Sequence, residues 1–227
     1  MTMGHPSTKP IDLFLSYSTA DKKFCSKLKH SLEMFGATVF LAHKDISPSL
    51  EWQNAILKRL ESCHVFVPIL TETFRKSLWT DQESGIAFAS EKPILPVAID
   101  LMPYGLLGRF QAVKGDRDAP YKLARRVFKG LTQQKPLRNR LRETLIQSLK
   151  RAPGYDEAGD VTALLAMLSP FSARQLDLLL KVATSNRQVH EARSSVAPLR
   201  KIIASNRTRI KPRLLARLRT LTRGAIS

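Results

Sequence analysis

Four short apolar runs at nearly even spacing constrain the fold of this chain more than any other feature. The stretches between them carry apolar residues at helical spacing, and the runs start 26 to 29 residues apart, at residues 11–16, 37–41, 64–70 and 93–99. Strands that alternate with helices at this spacing predict βαβ units and a parallel sheet covered on both faces. We therefore expect an α/β fold with a flavodoxin-like parallel sheet.

A weaker pattern extends this sheet to about five strands. We predict the fifth strand at residues 110–113 and a helix at Pro120–Leu131 after it. Pro68 and Pro96 fall inside the third and fourth runs, and a proline disfavours a central strand because it lacks the backbone N–H. We expect local bulges or strand ends at these two prolines.

Residues 71–90, TETFRKSLWTDQESGIAFAS, follow the third strand and are predicted to form one helix. Within this helix, Trp79 and Glu83 lie one turn apart on the same face, and the face continues into Ile86 and Ala87. The Glu83 carboxylate is therefore expected beside an aromatic ring and small apolar groups.

The neighbouring polar residues, Asp81 and Gln82, are expected to point away from the face that carries Glu83. A carboxyl group in an apolar setting has a raised pKa because burial disfavours its charged form, and such groups concentrate at functional sites. The alternative is a surface carboxylate beside a packing Trp79. This stretch alone leaves both interpretations open.

The predicted fold points to the same helix. In open parallel sheets, ligands bind beyond the carboxyl ends of the strands, where the strand order reverses. For the common order 2-1-3-4-5 this place lies between strands 1 and 3, so residues 17–21 meet the chain from Thr71 onward. Glu83 belongs to the helix that starts at this edge, which favours a ligand site there.

The character of the chain changes near Gln134, where strand patterns stop and the sequence becomes helical and basic. Leucines recur every four residues as one apolar stripe, at Leu137, Leu141, Leu145 and Leu149. Residues 1–133 carry 18 Lys and Arg against 13 Asp and Glu, net +5, whereas residues 134–227 carry 19 against 6, net +13. We predict an α/β domain over 1–133 and an all-helical basic module over 134–227.

The basic half indicates a partner such as nucleic acid, anionic lipid or an acidic protein, and the alternative is a solvated basic face. After Phe128 the only aromatic residues are Tyr155 and Phe171. A stacking platform for single strands is therefore poorly supplied. Binding to a phosphate backbone through charge alone stays open.

Two cysteines, Cys25 and Cys63, and five scattered histidines form no CxxC or other ligand pattern. This predicts neither a disulfide framework nor a metal site and favours a reducing compartment. Because the sequence shows no signal peptide and no apolar run long enough to span a bilayer, we expect a cytoplasmic location and no membrane partner.

Four short motifs occur in order between residues 11 and 131. The first, DLFLSYS at residues 12–18 followed by Asp21, is similar to (D/H)-x-F-(I/L)-S-(Y/H). The second is VFL at residues 39–41, which runs into the DISP loop of residues 45–48 with Trp52 after it. The others are Ser77-x-Trp79-x-x-x-Glu83 and KPILPV at residues 92–97. Together they resemble the Toll/interleukin-1 receptor (TIR) domain of the bacterial, NAD-cleaving type.

This resemblance implies an NAD⁺ nucleosidase that cleaves the bond between nicotinamide and ribose, with NAD⁺ as substrate and no cofactor. Its products are nicotinamide and either ADP-ribose or a cyclised form of it. Glu83 matches the catalytic glutamate and Trp79 walls the substrate; the implied pocket also includes Ser16, Tyr17, Phe40, Asp45 and Ser47. The chain lacks the basic residue that some NAD-cleaving members carry after Ser16, which leaves the grip on the substrate open.

The resemblance further implies self-association through the TIR domain, a possible partner protein, and a role in bacterial antiphage or innate defence. Two other functions stay open. One is a non-catalytic TIR scaffold that acts through TIR–TIR contacts, and the other is a nucleic-acid-sensing module that acts through the basic tail. Intact Trp79 and Glu83 favour the enzyme, since a scaffold has no need of this pair.

Overall fold

The computed structural model describes residues 9–42, 52–222 and 225, with Trp52 and Gln53 described by their backbone alone. Ile11–Gln134 forms one compact unit, which we call the α/β unit. The chain from Lys135 onward, together with Lys9 and Pro10, forms a second, which we call the helical unit.

The core of the α/β unit is a parallel sheet of five strands in the order β2-β1-β3-β4-β5. The strands are β1 (Asp12–Ser16), β2 (Thr38–Leu41), β3 (Val65–Leu70), β4 (Val97–Ala98) and β5 (Val113–Lys114). Every residue of β3 is buried, so both faces of the sheet are covered. The predicted α/β fold with a flavodoxin-like parallel sheet is confirmed, and the order reverses between β1 and β3.

In the described part of the α/β unit, five helices flank this sheet: α1 (Lys22–Met34), α2 (Trp52–Ser62), α3 (Glu72–Arg75), α4 (Leu78–Ala89) and α5 (Pro120–Leu131). On one face the rings of Phe14, Phe40 and Phe66 form an aromatic row, with centroids 5.2 and 5.9 Å from Phe14. α2 and α4 pack on this row. α1 and α5 pack together, and the rings of Phe35 and Phe128 lie 5.1 Å apart.

The prediction of a single helix over residues 71–90 is wrong, because α3 ends at Arg75 and α4 begins at Leu78. Ser77 precedes α4 in an extended conformation, with φ −99° and ψ 114°. The Thr80 hydroxyl lies 2.7 Å from the carbonyl oxygens of both Phe74 and Ser77 and donates to them. Hydroxyl side chains compete with helical hydrogen bonds in this way, so the break is stabilised by a residue beyond it.

The fourth strand is shorter than predicted, and its irregularity lies at the two prolines. The ladder between β3 and β4 consists of an isolated bridge from Phe66 to Ile94 and a pair that begins at Ile69 and Val97. Pro68 and Pro96 fall in the interval between them. Neither proline has a backbone N–H group, so the sheet loses no hydrogen bond of the ladder there. β3 itself continues as one strand through Pro68.

The helical unit contains six helices among the described residues: α6 (Arg138–Lys150), α7 (Tyr155–Met167), α8 (Ala173–Ser185), α9 (Arg187–His190), α10 (Arg193–Ala204) and α11 (Pro212–Leu221). The predicted leucine stripe is buried along its whole length. α7 packs on both α6 and α10, and α11 packs on α8. None of the helices in the described part of the chain has the length and apolar character of a membrane span.

Candidate active site

Glu83 lies on the second turn of α4 and is only 2% exposed. α4 packs against β1 and β3, and Ser16 is the last residue of β1. This places the Ser16 hydroxyl beside the carboxyl group, and its Oγ donates a hydrogen bond of 2.5 Å to Oε2 of Glu83. The site is therefore built where the strand order reverses, as the fold rule predicts.

The second carboxyl oxygen of Glu83 has no such bond. Oε1 is buried and has no hydrogen-bond partner among the described residues. An unpaired buried polar atom costs about 1–3 kcal/mol, and native proteins rarely leave one without a reason. An oxygen held in place and left without a donor is suited to accept a hydrogen bond from a ligand.

Burial raises the pKa of the Glu83 carboxyl group to about 7, although the hydrogen bond from Ser16 acts in the opposite direction. The carboxyl group is therefore about half ionised at neutral pH. A pKa near the working pH is typical of groups that take part in catalysis. The expectation of an apolar setting with a raised pKa agrees with this geometry.

Glu83 opens onto a cleft of about 240 Å³ between α2 and α4. Its other lining residues are Ile56, Leu57 and Leu60 of α2 and Trp79, Gln82 and Ile86 of α4. The wall is thus mostly apolar with one carboxyl group. The volume is below the roughly 300–1,000 Å³ of pockets that enclose a whole ligand, so it suits one end of an elongated molecule.

The structure brings Ser16, Trp79 and Glu83 together. Tyr17 is fully buried in the core rather than in the wall of the cleft. Phe40 is buried as well, packed on Phe14 with the Arg59 guanidinium 5.1 Å from its ring. Direct contact of Tyr17 or Phe40 with a ligand in this cleft is therefore not supported.

Asp45 and Ser47 lie outside the described residues, so their place in the pocket stays a prediction. Asp81 points away from Glu83 as expected, and it accepts a hydrogen bond of 3.1 Å from the Tyr104 hydroxyl. Gln82 was expected to point away too, but it lines the cleft. The reason is that the cleft reaches the flank of α4, where Gln82 lies, as well as the buried face that carries Trp79 and Glu83.

A second cluster of polar side chains, which the sequence does not predict, lies at the same sheet edge. The Asp21 carboxylate follows β1 and is nearly buried. It accepts hydrogen bonds from the Thr71 hydroxyl at 2.7 Å, the Thr73 hydroxyl at 2.8 Å and the Arg117 guanidinium at 2.6 Å. Arg117 also pairs with Asp100 at 3.1 Å. The cluster joins the segments that follow β1, β3, β4 and β5.

Electrostatics at Asp21 run opposite to those at Glu83. Burial alone would raise the pKa of Asp21, but the hydrogen bonds from Arg117, Thr71 and Thr73 outweigh it and hold the pKa below its usual value. Asp21 and Arg117 lie 96 residues apart in the chain. No local pattern could have revealed their pairing, although Asp21 belongs to the first motif.

Comparison with known proteins identifies the α/β unit. The family model described as TIR domain matches residues 13–127, which is about half of the 227-residue chain and includes Ser16, Trp79 and Glu83. No curated protein matches the chain. The order of the five parallel strands and the matched family agree, and the chain therefore belongs to the TIR-domain family.

Proposed function

We propose that the protein is an NAD⁺ nucleosidase in which Glu83 is the catalytic carboxylate. The observation that supports this most is the state of Glu83. It is buried, Ser16 fixes one of its carboxyl oxygens, the other has no hydrogen-bond partner among the described residues, and the residue lines a cleft walled by Trp79. TIR domains include NAD-cleaving enzymes. The substrate is the nicotinamide end of NAD⁺, which is flat, cationic and joined to a ribose.

The proposed reaction needs only one catalytic group from the protein, a carboxylate. The C1′–N bond breaks and its electron pair leaves with nicotinamide, which departs neutral and needs no acid catalyst. Positive charge develops on the ribose in an oxocarbenium-like transition state. The ionised Glu83 stabilises this charge and accepts hydrogen bonds from the ribose hydroxyls through Oε1. Water then adds to C1′ and loses a proton, giving ADP-ribose, or a nitrogen of the adenine adds and closes a ring.

The neighbours of Glu83 have separate tasks in this scheme. Ser16 is a positioning residue, since its bond to Oε2 fixes the direction in which Oε1 points. Trp79 offers an aromatic wall, and an aromatic face attracts a cationic ring. The apolar side chains of α2 exclude water, which strengthens the electrostatic effect of the single carboxylate.

The experiment is to incubate the full-length protein with NAD⁺ and resolve the products by chromatography. TIR domains generally self-associate, so the protein concentration is varied over a wide range. Glu83→Gln keeps the shape of the side chain and removes its charge, and we expect nicotinamide release to fall by about 10²–10³-fold. Glu33→Gln, at an exposed position of α1, is the matched control and retains activity.

Two results would count against the proposal in different ways. Activity of Glu83→Gln equal to that of the wild type would refute the site and leave the reaction standing. Absence of nicotinamide release at every concentration, with or without cell extract as a source of a trigger, would refute the reaction. Assembly through the TIR unit and a role in bacterial antiphage defence belong to the same proposal.

The alternative is a non-catalytic TIR scaffold, and it predicts a different result. Because a scaffold gains nothing from a buried carboxyl group with an unpaired oxygen, it has no reason to tolerate that cost. If the protein is a scaffold, Glu83→Gln leaves every function intact while self-association persists. Size-exclusion chromatography with light scattering, run beside the NAD⁺ assay, separates the two.

A further inference from the structure

The last part of the helical unit carries a charge that the protein does not balance. Residues 192–222, which we call the basic segment, contain nine Lys and Arg and no Asp or Glu. The segment comprises α10, a short 3₁₀ turn at Arg207–Arg209, and α11. The last acidic residue before it is Glu191.

Two of the nine cations have a hydrogen-bond or ion-pair partner among the described residues. Lys211 pairs with Asp177 at 2.7 Å, and Arg209 donates to the backbone carbonyl of Phe171 at 3.0 Å. The remaining seven are exposed and have no acidic partner among the described residues; they are Arg193, Arg200, Lys201, Arg207, Arg213, Arg217 and Arg219.

Two arginines elsewhere in the helical unit have a clear structural role, because they bond to backbone carbonyls. Arg138 and Arg142 donate to the backbone carbonyls of Met167 and Leu168 at the end of α7, at 3.0 and 2.8 Å. Cations at a helix C-terminus satisfy free carbonyls and the helix dipole. Of the seven exposed cations, Lys201 and Arg219 lie in the last turns of α10 and α11, where they favour the helix dipole. The other five have no such role, so internal stability does not account for them.

The helices hold these cations in fixed places. Leu218 of α11 is fully buried, and Leu199 and Ile202 of α10 are buried too. Arg213 and Arg217 lie one turn apart on α11, so their side chains share one side of the helix. Like charges at this spacing repel each other, and an anionic partner that bridges them removes the repulsion.

The chemistry of the seven side chains favours phosphate. Six are arginines, whose planar guanidinium donates two parallel hydrogen bonds to one phosphate. The unit offers nothing for stacking single-stranded bases, because Phe171 is buried and Tyr155 is its only other aromatic residue. It also offers little to insert into lipid, since Tyr155 and Leu221 are the only large apolar side chains exposed in its described part.

We propose that the basic segment binds the phosphate backbone of a nucleic acid duplex, without reading its base sequence. Duplex DNA and duplex RNA present the same chemistry to such a surface, and the experiment distinguishes them. This binding is independent of NAD⁺ cleavage, because none of the seven cations belongs to the α/β unit.

The test measures the anisotropy of labelled 20-base-pair duplexes of DNA and RNA with the full-length protein between 50 and 300 mM salt. For DNA, the logarithm of the affinity falls linearly with the logarithm of salt, with a slope of about 0.9 for each phosphate contacted. We expect Arg213→Gln/Arg217→Gln/Arg219→Gln to lower this slope by about 2 to 3 and the affinity at 50 mM salt by about 10-fold or more. A duplex of scrambled sequence binds equally well.

The matched control removes the same charge from another place. Lys22→Gln/Lys23→Gln/Lys27→Gln alters three exposed lysines of α1 and leaves the basic segment intact. We expect it to change the affinity by less than about 2-fold. Circular dichroism melting confirms that both triple variants fold.

Three outcomes would overturn the proposal. One is no binding of either duplex at 50 mM salt. Another is an equal loss of affinity in both triple variants, which would show that net charge alone decides. The third is binding to vesicles of phosphatidylserine and phosphatidylcholine without binding to a duplex, which would point to a membrane surface instead.

Discussion

Two buried carboxylates, Glu83 and Asp21, lie at the same edge of the same parallel sheet and are held in opposite ways. Asp21 accepts from two hydroxyl groups and one guanidinium, and its pKa is lowered. Glu83 accepts one hydrogen bond from the part of the chain that is described, and burial raises its pKa to about 7. A fully satisfied carboxylate holds loops together, whereas a half-satisfied one is free to act on something else.

Burial acts alike on the two carboxyl groups, and their hydrogen-bond partners make them differ. Both side chains are nearly inaccessible, so desolvation raises the pKa of both. Among the described residues, only Asp21 has a cation within reach, Arg117, which helps to reverse this effect. Asp21 should therefore stabilise the fold, whereas Glu83 should support activity at a cost in stability.

The largest effect is expected from Glu83→Gln, which should damage activity and improve stability. At pH 8 we expect nicotinamide release to fall by about 10²–10³-fold. A folded-state pKa of about 7 against an ordinary 4.5 corresponds to roughly 3 kcal/mol. This energy is the cost of ionising the buried carboxyl group in the folded protein. The cost is absent below pH 4.5 and is present in full above pH 7.

Urea denaturation of the wild type and Glu83→Gln at pH 5 and pH 8 measures how the difference in their free energies of unfolding changes with pH. The variant should gain stability over the wild type as the pH rises, by up to about 3 kcal/mol. Equal stability at both pH values would show that the carboxyl group does not titrate near neutrality in the folded protein.

Asp21→Asn should show the reverse pattern. The amide keeps one acceptor and turns its NH₂ group toward a guanidinium or a hydroxyl, so we expect a loss of about 2 kcal/mol in the free energy of unfolding. Because the folded-state pKa of Asp21 is lowered, this stability is present at neutral pH and is lost as the pH falls through the acidic range.

Chemical denaturation beside the exposed control Asp118→Asn measures the effect of Asp21→Asn. Nicotinamide release per folded molecule should change little. A large loss of activity in a variant that remains folded would place Asp21 in the catalytic site and erase the contrast with Glu83.

Ser16→Ala should have an intermediate effect on activity and should move its pH dependence. Without the hydroxyl, Oε2 loses its donor and the direction of Oε1 is no longer fixed, so we expect about a 10-fold loss of activity. The hydrogen bond from Ser16 lowers the pKa of Glu83, so its removal shifts the rising limb of the pH profile to higher pH.

For the wild type, activity should rise about 10-fold between pH 6 and pH 8, as a carboxyl group with a pKa of about 7 ionises. Ser18→Ala, two residues along the chain, is the matched control and keeps the wild-type profile. An unshifted profile in Ser16→Ala would mean that Ser16 acts only through packing.

The smallest effect is expected from Asp100→Asn. Asp100 is about half exposed and pairs with Arg117 at 3.1 Å, and exposed ion pairs contribute about 0–1 kcal/mol. Thermal unfolding at low and high salt should show a difference of this size that shrinks with salt. A loss as large as that of Asp21→Asn would show that the whole cluster, rather than its buried member, carries the stability.

The sequence predicted the sheet and the helix that bears Glu83 because spacing and periodicity are local signals. It did not predict the break between α3 and α4, because helix-forming residues continue across Lys76. Hydrogen bonds from the Thr80 hydroxyl to the carbonyl oxygens of Phe74 and Ser77 stabilise the break. It missed the Asp21–Arg117 pair because partners 96 residues apart leave no pattern.

The site residues divide in the same way. Trp79 and Glu83 lie one turn apart, so helical spacing alone placed them on one wall. Tyr17 and Phe40 were inferred from their motifs, and packing decides where such side chains point. Leu57 and Gln82 line the cleft from the flanks of their helices, which a single apolar stripe does not reveal.

The unpaired oxygen of Glu83 also links substrate binding to protons. Near pH 7 about half of the molecules carry a proton on this carboxyl group. In the proposed reaction, a cationic nicotinamide ring in the cleft would lower the pKa of Glu83, so its arrival would release up to about half a proton per molecule to the solvent. The heat of NAD⁺ binding would then depend on the ionisation enthalpy of the buffer, and the apparent affinity would strengthen as the pH rises.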